Sequence, residues 1–334
     1  MPLAAGAILR FTALAAILFT LTSAVFAGES PQNIKVDRVN FPVTLSDGNT
    51  YNVAAHLYYQ GSYRNRTLLL ALHGANYNHR YWDVPRINGH DYSFARYMAA
   101  QKYAVLAIDQ LGTGESDKPC GDLLTLAETA SATHQIIGQL RAGDIRHAFE
   151  RVVLVGHSLG SINAVYEQAT YADADALITT GMGHVEHVLP IPGPVIGEML
   201  QHKYFPFPDN LRAELFYYAP GADPEVIAYD RDNLADLLPR AQLLTGVFAA
   251  FDPPANRVGA VQGPVLVQLG EHDALFPASL AAGEAAFYTS ASSVDVQAIP
   301  GVGHDVNTHF GNHTSWRLMD EWLRRQGLHK PSAD

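Results

Sequence analysis

A serine flanked by glycines stands where an apolar strand turns into a helix. Gly156, Ser158 and Gly160 form a G-x-S-x-G motif directly after the apolar run 152–155. Small residues on either side let the chain close sharply, which lifts the serine hydroxyl above the end of the sheet. The amide of Leu159 then lies at a helix start, where N–H groups are unpaired and the helix dipole favours negative charge. The motif therefore predicts that Ser158 is a nucleophile.

A nucleophilic serine needs a base to take its proton, and the base needs an acid to fix its tautomer. Among the 15 histidines, His304 lies in a glycine-rich loop directly after the last apolar strand. Asp273 follows the preceding strand, and Glu271 is the alternative acid two residues earlier. The order serine, aspartate, histidine along the chain is a known order for such a triad. We predict a catalytic set of Ser158, Asp273 and His304.

Two other polar residues adjoin these positions, and we expect neither of them to be the base or the acid. Asp305 follows His304 directly, but neighbouring side chains on an extended loop diverge. His157 precedes Ser158, and its side chain is expected to point away from the serine hydroxyl.

Acyl transfer also needs hydrogen-bond donors for the negative charge that develops on the carbonyl oxygen. The apolar run 69–72 leads into a His-Gly pair, and Ala75 follows it. The backbone amides of Ala75 and Leu159 are the predicted oxyanion donors. The next strand ends at Asp109, which we expect to bind loop amides rather than substrate.

Eight apolar segments predict the strands that must position these residues. Residues 34–45 and 51–59 alternate around a Ser-Asp-Gly-Asn turn and predict a hairpin. Four of the later segments are more continuously apolar, 175–180 and 293–299 are weaker, and all six alternate with helical patterns, as in a parallel sheet covered on both faces. These six segments are residues 67–72, 103–108, 151–155, 175–180, 264–269 and 293–299. The predicted helices are residues 92–101, 123–141, 158–169, 279–288 and 316–326.

One long stretch interrupts the alternation of strands and helices. No strand is predicted between residues 181 and 263, where the chain is rich in proline and aromatic residues. Because a structureless loop of this length is unusual in a compact domain, residues 182–240 predict an inserted helical cap. The two flanking stretches, residues 28–181 and 241–334, then form the core.

The first 27 residues have the features of a secretory signal. Residues 11–25 form a largely apolar run after Arg10, and Val25 and Ala27 occupy the positions that a signal peptidase reads. We expect cleavage after Ala27, a secreted or periplasmic protein and no stable membrane insertion after cleavage. The run is short for a bilayer span, which leaves an uncleaved anchor as the alternative.

Charge and cysteine content narrow the possible ligands. The formal net charge of −11 disfavours a nucleic-acid binder, which normally carries a basic face. Cys120 is the one cysteine, so the chain cannot form an intramolecular disulfide. Because no cysteine and histidine spacing is typical of a metal site, we expect neither a metal nor another cofactor. The expected partner is a small-molecule ester.

Together these motifs resemble the α/β-hydrolase superfamily, in particular its capped serine esterase-like branch. The resemblance covers about residues 36–323 and implies an α/β fold with a mostly parallel, eight-stranded sheet flanked by helices and a helical cap. It also implies cleavage of carboxylic esters through an acyl-enzyme. The matching positions are His73 with Gly74, Asp109 with Gly112, Gly114 and Ser116, the Ser158 motif, and Asp273 with His304.

The resemblance leaves alternative functions open. A lactone or carbon–carbon bond hydrolase would use the same three residues, and a non-catalytic binding protein would use only the scaffold. Ser158 stands where dehalogenases and epoxide hydrolases carry an aspartate, which disfavours those two activities.

Overall fold

The structure is a computed structural model that describes residues 33–329. The predicted signal sequence, residues 1–27, lies outside the described residues. Within the described range, eight strands form one sheet, and four short strands form two separate ribbons. In chain order the strands are β1 (Ile34–Thr44), β2 (Thr50–Gln60), β3 (Leu68–Leu72), β4 (Val84–Ile87), β5 (His90–Tyr92), β6 (Ala104–Ile108), β7 (Val152–His157), β8 (Ala176–Thr180), β9 (Tyr204–Pro206), β10 (Leu237–Pro239), β11 (Pro264–Gly270) and β12 (Ser293–Ile299).

The main sheet has the strand order β1-β2-β6-β3-β7-β8-β11-β12. Strands β1 and β2 form the predicted hairpin, and β2 pairs with β6 antiparallel. The remaining neighbours are parallel. Every residue of β3, β6, β7 and β8 is buried, as strands covered on both faces require. The prediction of a mostly parallel, eight-stranded sheet is confirmed.

Helices connect the parallel strands, and four of the five predicted helices are present within a few residues of their expected ends. None of the helices within residues 33–329 is both long and apolar enough to cross a bilayer. The α-helices of this range are α1 (Phe94–Ala100), α2 (Leu126–Ala142), α3 (Leu159–Tyr171), α4 (Gly193–Met199), α5 (Asp209–Phe216), α6 (Pro224–Tyr229), α7 (Arg240–Thr245), α8 (Pro253–Asn256), α9 (Ala281–Glu284) and α10 (Asn312–Arg325).

The predicted helix over residues 279–288 is wrong as a continuous element. The chain instead makes three successive short turns, of which α9 is the middle one. The carboxylate of Glu284 in α9 is buried and accepts hydrogen bonds from the backbone amide and Nδ1 of His184, each at 2.6 Å. These two hydrogen bonds, together with the packing of Ala281 and Phe287 on the core, fix the segment.

The direction of the crossovers assigns the helices to the two faces of the sheet. The connection from β3 through α1 to β6 runs one way along the sheet, and those through α2 and α3 run the other way. Right-handed crossovers in opposite directions put their helices on opposite faces. Helix α1 therefore covers one face with α10, which contacts it, while α2 and α3 pack together on the other.

The stretch between β8 and β11 contains helices α4 to α8 and also one ribbon. Strands β9 and β10 pair antiparallel over three residues each, so the expectation of no strand in this stretch is wrong. Three residues are too few to show an alternating pattern, and a proline ends each strand. The division of the chain into a core and a cap at residues 182–240 remains a prediction.

Replacing Leu70 by alanine should lower the free energy of unfolding by about 2–5 kcal/mol, because the change leaves a cavity in a central strand. Leu70 is 0% exposed and lies in β3 between β6 and β7. Leu244→Ala is the matched control, since Leu244 is 46% exposed and its loss should matter little. Urea unfolding measures both variants, and equal effects would contradict the placement of β3 in the core.

Candidate active site

The predicted site residues meet at one edge of the sheet. Ser158 follows β7, Asp273 follows β11 and His304 follows β12, each at the carboxyl end of its strand. Ser158 and His304 line one cavity together with Ala75 and Leu159. Asp273 lies behind His304 and is hydrogen-bonded to it. The structure thus brings all five residues together, and their chemical roles remain predictions.

The backbone of Ser158 is strained, as the sharp turn requires. Its φ of 50° and ψ of −119° lie in a region that residues other than glycine rarely adopt. A Cβ on Gly160 would lie 2.1 Å from the carbonyl oxygen of Leu72, and one on Gly156 would lie 2.4 Å from the Cα of Ser161. The two glycines are therefore needed because the turn packs directly against neighbouring backbone.

His304 is held by Asp273 and not by Glu271. Nδ1 of His304 donates to Oδ2 of Asp273 at 2.9 Å, and both side chains are buried. Oδ1 of Asp273 accepts from the amides of Leu275 and Phe276 at 2.7 and 2.8 Å. Glu271 is exposed, and its carboxylate accepts from a different loop amide. This arrangement leaves Nε2 of His304 as the nitrogen that is available to take a proton.

The electrostatics of the pair match a base and its orienting acid. Burial alone lowers the pKa of His304, but the charge and hydrogen bond of Asp273 outweigh burial and raise it above 6.5. Burial alone raises the pKa of Asp273, yet the contact with His304 and two backbone amides lower it below 3.8. Asp273 is therefore a carboxylate at neutral pH.

Two backbone amides near Ser158 are available to a ligand. The N–H groups of Ala75 and Leu159 make no hydrogen bond to any group among residues 33–329. The loop after β3 is fixed by Asn76, whose Nδ2 donates to the carbonyl oxygens of Phe205 and Asp236, both at 3.1 Å. Unpaired, fixed N–H groups beside a nucleophile are the arrangement that stabilises an oxyanion.

Asp109 has the structural role that the sequence suggested. Its carboxylate is buried and accepts from the amides of His79 at 2.6 Å and Glu115 at 2.7 Å. Nδ1 of His79 lies 2.7 Å from the same carboxylate. These contacts join two loops at the carboxyl edge, and Asp109 is not among the residues that line the cavity.

Apolar side chains form most of the cavity wall beyond the polar groups. Of the aromatic residues that follow β3, Tyr77 lines the cavity, whereas Tyr81 and Trp82 are buried in the core. The stretch between β8 and β11 supplies the largest share of the wall. Its lining residues are Leu189, Ile191, Met199, Phe207, Phe216, Leu238, Leu243 and Val247.

A buried polar cluster beside the cavity was not predicted. Nε2 of His157 lies 3.0 Å from Oδ1 of Asp305, and Oδ2 of Asp305 contacts the hydroxyl of Tyr77. The same hydroxyl lies 3.1 Å from Asp230, which pairs with Arg212 at 2.6 Å. Asp305 does diverge from His304 as expected. The signals for this cluster in the sequence are Asp305 directly after His304, and Arg212 and Asp230 within the aromatic-rich stretch between β8 and β11.

Three groups of histidine and acidic side chains within residues 33–329 bring ligand-type atoms within 4.8 Å of one another. In the group nearest the cavity, His157 and Asp305 are bonded to each other. In another, the rings of His56 and His79 stack 3.8 Å apart at 15°, and one ion cannot lie in both ring planes. The groups are His157, His304 and Asp305; His56, His79 and Glu115; and His134, Glu167 and Asp173.

Comparison with known proteins agrees with this fold. Residues 68–311, well over half of the chain, match the model of the alpha/beta hydrolase family. The chain belongs to the alpha/beta hydrolase family. In such folds, reactive groups lie at the carboxyl ends of the parallel strands, which is where the predicted site residues of this alpha/beta hydrolase lie.

Solved structures of other hydrolases share the fold. A thermophilic esterase from Thermogutta terrifontis is 20% identical, with a TM-score of 0.60 over 88% of this chain and 100% of that one. A monoacylglycerol lipase from Paleococcus ferrophilus is 15% identical, with a TM-score of 0.60 over 87% and 99%. A monoglyceride lipase from Saccharomyces cerevisiae is 13% identical, with a TM-score of 0.64 over 90% and 98%. At these identities the likeness concerns the fold of this alpha/beta hydrolase.

Nuclear magnetic resonance should show His304 of this alpha/beta hydrolase titrating with a pKa above 6.5, because Asp273 stabilises the imidazolium. Asp273→Asn removes that charge and leaves burial to act, so the pKa of His304 should fall. Glu271→Gln is the matched control and should leave the titration unchanged, since Glu271 is exposed and bonded elsewhere. A fall caused by Glu271→Gln would overturn the pairing.

Proposed function

We propose that this protein is a serine-dependent hydrolase of carboxylic esters that works through an acyl-enzyme. The observation that carries the proposal is one arrangement: a serine on a strained turn shares a cavity with His304, whose other nitrogen is bonded to buried Asp273. Membership in the alpha/beta hydrolase family supports hydrolysis. The esterase and lipase neighbours support an ester as the substrate.

In the first step, Oγ of Ser158 attacks the carbonyl carbon of the ester while Nε2 of His304 takes the hydroxyl proton. The carbonyl oxygen becomes an oxyanion, which the amides of Ala75 and Leu159 bind. Asp273 stabilises the imidazolium by its charge and by the bond to Nδ1. His304 then gives its proton to the leaving oxygen, the alcohol departs, and the acyl group stays on Ser158.

In the second step, water attacks the acyl-enzyme. His304 takes a proton from the water, the oxyanion forms again on the same amides, and the carbon–oxygen bond to Ser158 breaks. The proton returns to Oγ of Ser158, and the carboxylic acid leaves. The same base, orienting acid and amide donors therefore serve both steps.

The apolar wall supports an ester whose acyl group is a hydrocarbon chain. Leu238, Leu243 and Val247 approach the cavity from the stretch after β8, and Phe276 does so beside Asp273. Burying each methylene of a substrate stabilises its complex by about 0.8 kcal/mol. Lactone and carbon–carbon bond hydrolysis use the same residues and are separated from ester hydrolysis by a substrate panel.

The N-terminal sequence supports export of this hydrolase. An apolar run after Arg10 ends at Val25-Phe26-Ala27, the pattern of a cleaved secretory signal. In this proposal the enzyme acts outside the cytoplasm on small-molecule esters. N-terminal sequencing of the protein recovered from its host tests cleavage after Ala27, and an intact N-terminus in a membrane fraction would favour an anchor.

Replacing Ser158 by alanine should lower kcat for a p-nitrophenyl ester by roughly 10⁴–10⁶-fold, because the nucleophile is lost. A fluorophosphonate probe should label the wild-type protein at Ser158 and leave the variant unlabelled. Ser279→Ala is the control, since Ser279 is exposed and outside the cavity lining. A protein that the probe does not label would be a binding protein on a hydrolase scaffold.

Specificity should follow the length of the acyl chain. Across p-nitrophenyl esters from acetate upward, kcat/KM should rise about fourfold per methylene until the cavity is filled, and then fall. Leu243→Ala enlarges the cavity and should move the maximum to longer chains, whereas Leu244→Ala, at an exposed neighbour, should leave it unchanged. A panel that also contains lactones measures the preference, and a lactone optimum would replace the ester assignment.

A further inference from the structure

The polar cluster beside the cavity needs one more proton than its side chains carry in their ordinary ionised states. The phenol of Tyr77 has a single proton, but its oxygen contacts the carboxyl groups of both Asp230 and Asp305. Each carboxylate can only accept a hydrogen bond, so one phenol proton cannot serve both contacts. Two carboxylates that face one phenol proton repel each other, so this contact favours a proton on one of the two carboxyl groups.

A count of charges gives the same result. Arg212 is buried and carries one positive charge, while Asp230 and Asp305 would together carry two negative charges. All three residues lie in the protein interior, where an unpaired charge is costly. One added proton makes the cluster neutral.

The hydrogen bonds of His157 show where that proton lies. Oγ1 of Thr180 donates to the carbonyl oxygen of Gly156 at 3.0 Å, so toward Nδ1 of His157, 3.1 Å away, it acts as an acceptor. Nδ1 of His157 therefore carries a proton, and in the neutral ring Nε2 is left as an acceptor. The atom that faces Nε2, at 3.0 Å, is Oδ1 of Asp305, which can donate only when it is protonated.

Asp230 is the other carboxyl group that could hold the proton. Burial raises the pKa of Asp230 to about 6, but the charge of Arg212 opposes this shift, so the ionised form prevails at neutral pH. Its Oδ1 lies 2.6 Å from Nη2 of Arg212, a permanent cation, whereas Oδ1 of Asp305 faces a neutral ring nitrogen. A charge-assisted bond to arginine needs a carboxylate.

We propose that Asp305 is a neutral carboxylic acid that donates its proton from Oδ1 to Nε2 of His157, so that His304 alone of the two neighbouring imidazoles becomes charged. The proposal rests on the proposed ester hydrolysis, in which His304 takes the proton of Ser158. The ring centroids of His157 and His304 are 5.0 Å apart, so a charged His157 would oppose that transfer. Asp305 acts here as a positioning residue.

The pKa shifts of Asp305 and His157 support a neutral pair. Burial raises the pKa of Asp305, and burial together with nearby His304 holds the pKa of His157 well below 6.5. The ring of Tyr81 stacks on that of His157, with centroids 4.5 Å apart and an interplanar angle of 14°, and excludes water from that face of the imidazole. The titratable and charged groups that face Asp305 are Tyr77 and Tyr81 from the chain after β3, His157 from β7, Arg212 from α5, Tyr217 directly after α5, Asp230 from the turn after α6, and His304 and His309 from its own loop.

Amide substitutions at the two carboxyl positions test the proposal. Asp305→Asn keeps a neutral group with one donor and one acceptor, so kcat/KM should stay within about threefold of wild type, with an unchanged pH profile. Asp230→Asn removes the partner of buried Arg212 and should lower the urea midpoint clearly. Asp305→Ala leaves Nε2 of His157 without a donor and should lower kcat more than it changes KM.

The opposite pattern would overturn the proposal. If Asp230→Asn were harmless and Asp305→Asn damaging, the proton would belong to Asp230. If Asp305 were a carboxylate, Asp305→Asn would remove a negative charge beside His304 and move the rising limb of the pH profile to lower pH.

Two spectroscopic measurements need no turnover and separate this proposal from the proposed function. Infrared spectra near pH 7 should contain the C=O band of a buried carboxylic acid that disappears in Asp305→Asn. Nitrogen resonances of His157 should show a neutral ring protonated at Nδ1. An imidazolium at His157 would refute the pairing whatever the enzyme hydrolyses. Full esterase activity in Ser158→Ala would refute only the proposed function.

Discussion

The strained backbone of Ser158 is the constraint on which the site depends. A residue with a φ of 50° at the end of β7 is stable only when its surroundings enforce it, at a cost of about 1–3 kcal/mol. The amide of Ser158 donates to the carbonyl oxygen of Thr180 in β8 at 2.8 Å, and Gly160 packs against the backbone of β3. The turn is thus fixed to both neighbouring strands, and the base and the amide donors are placed relative to it.

The buried cluster extends this fixation beyond the sheet. His157 belongs to the same turn as Ser158, and through Asp305 and Tyr77 it is linked to the loop of His304 and to the loop after β3. Arg212 completes the connection, since Nη1 donates to the carbonyl oxygen of Asn76 at 3.3 Å. The stretch that forms the apolar wall is therefore attached by hydrogen bonds to the residues that would carry out the reaction.

Much of the fold and the site was predictable because the signals are local. Continuous apolar runs identify β3, β6 and β7, and the spacing of two glycines around Ser158 identifies the turn. The preference for Asp273 over Glu271 rests on position after a strand, and the hydrogen bond to His304 agrees with it.

The unpredicted features depend on partners far apart in the chain. Asp305 meets His157 across 148 positions, and Tyr77 meets Asp230 across 153. No local sequence pattern marks such a pair, because the neighbours of His157 and of Asp305 along the chain do not indicate a partner this distant. The β9–β10 ribbon could not be predicted, because each strand has three residues, which are too few for an alternating pattern to appear.

The apolar wall comes largely from one continuous part of the chain, whereas Ser158, Asp273 and His304 come from separate strand ends. A stretch of gene that encodes residues 189–247 can therefore be exchanged between relatives or diversified as one cassette. Such a cassette must keep Arg212 and Asp230, because they tie the stretch to Asn76 and Tyr77 in the loop after β3. Within that condition, a lineage can acquire new substrates by recombination without altering its chemistry.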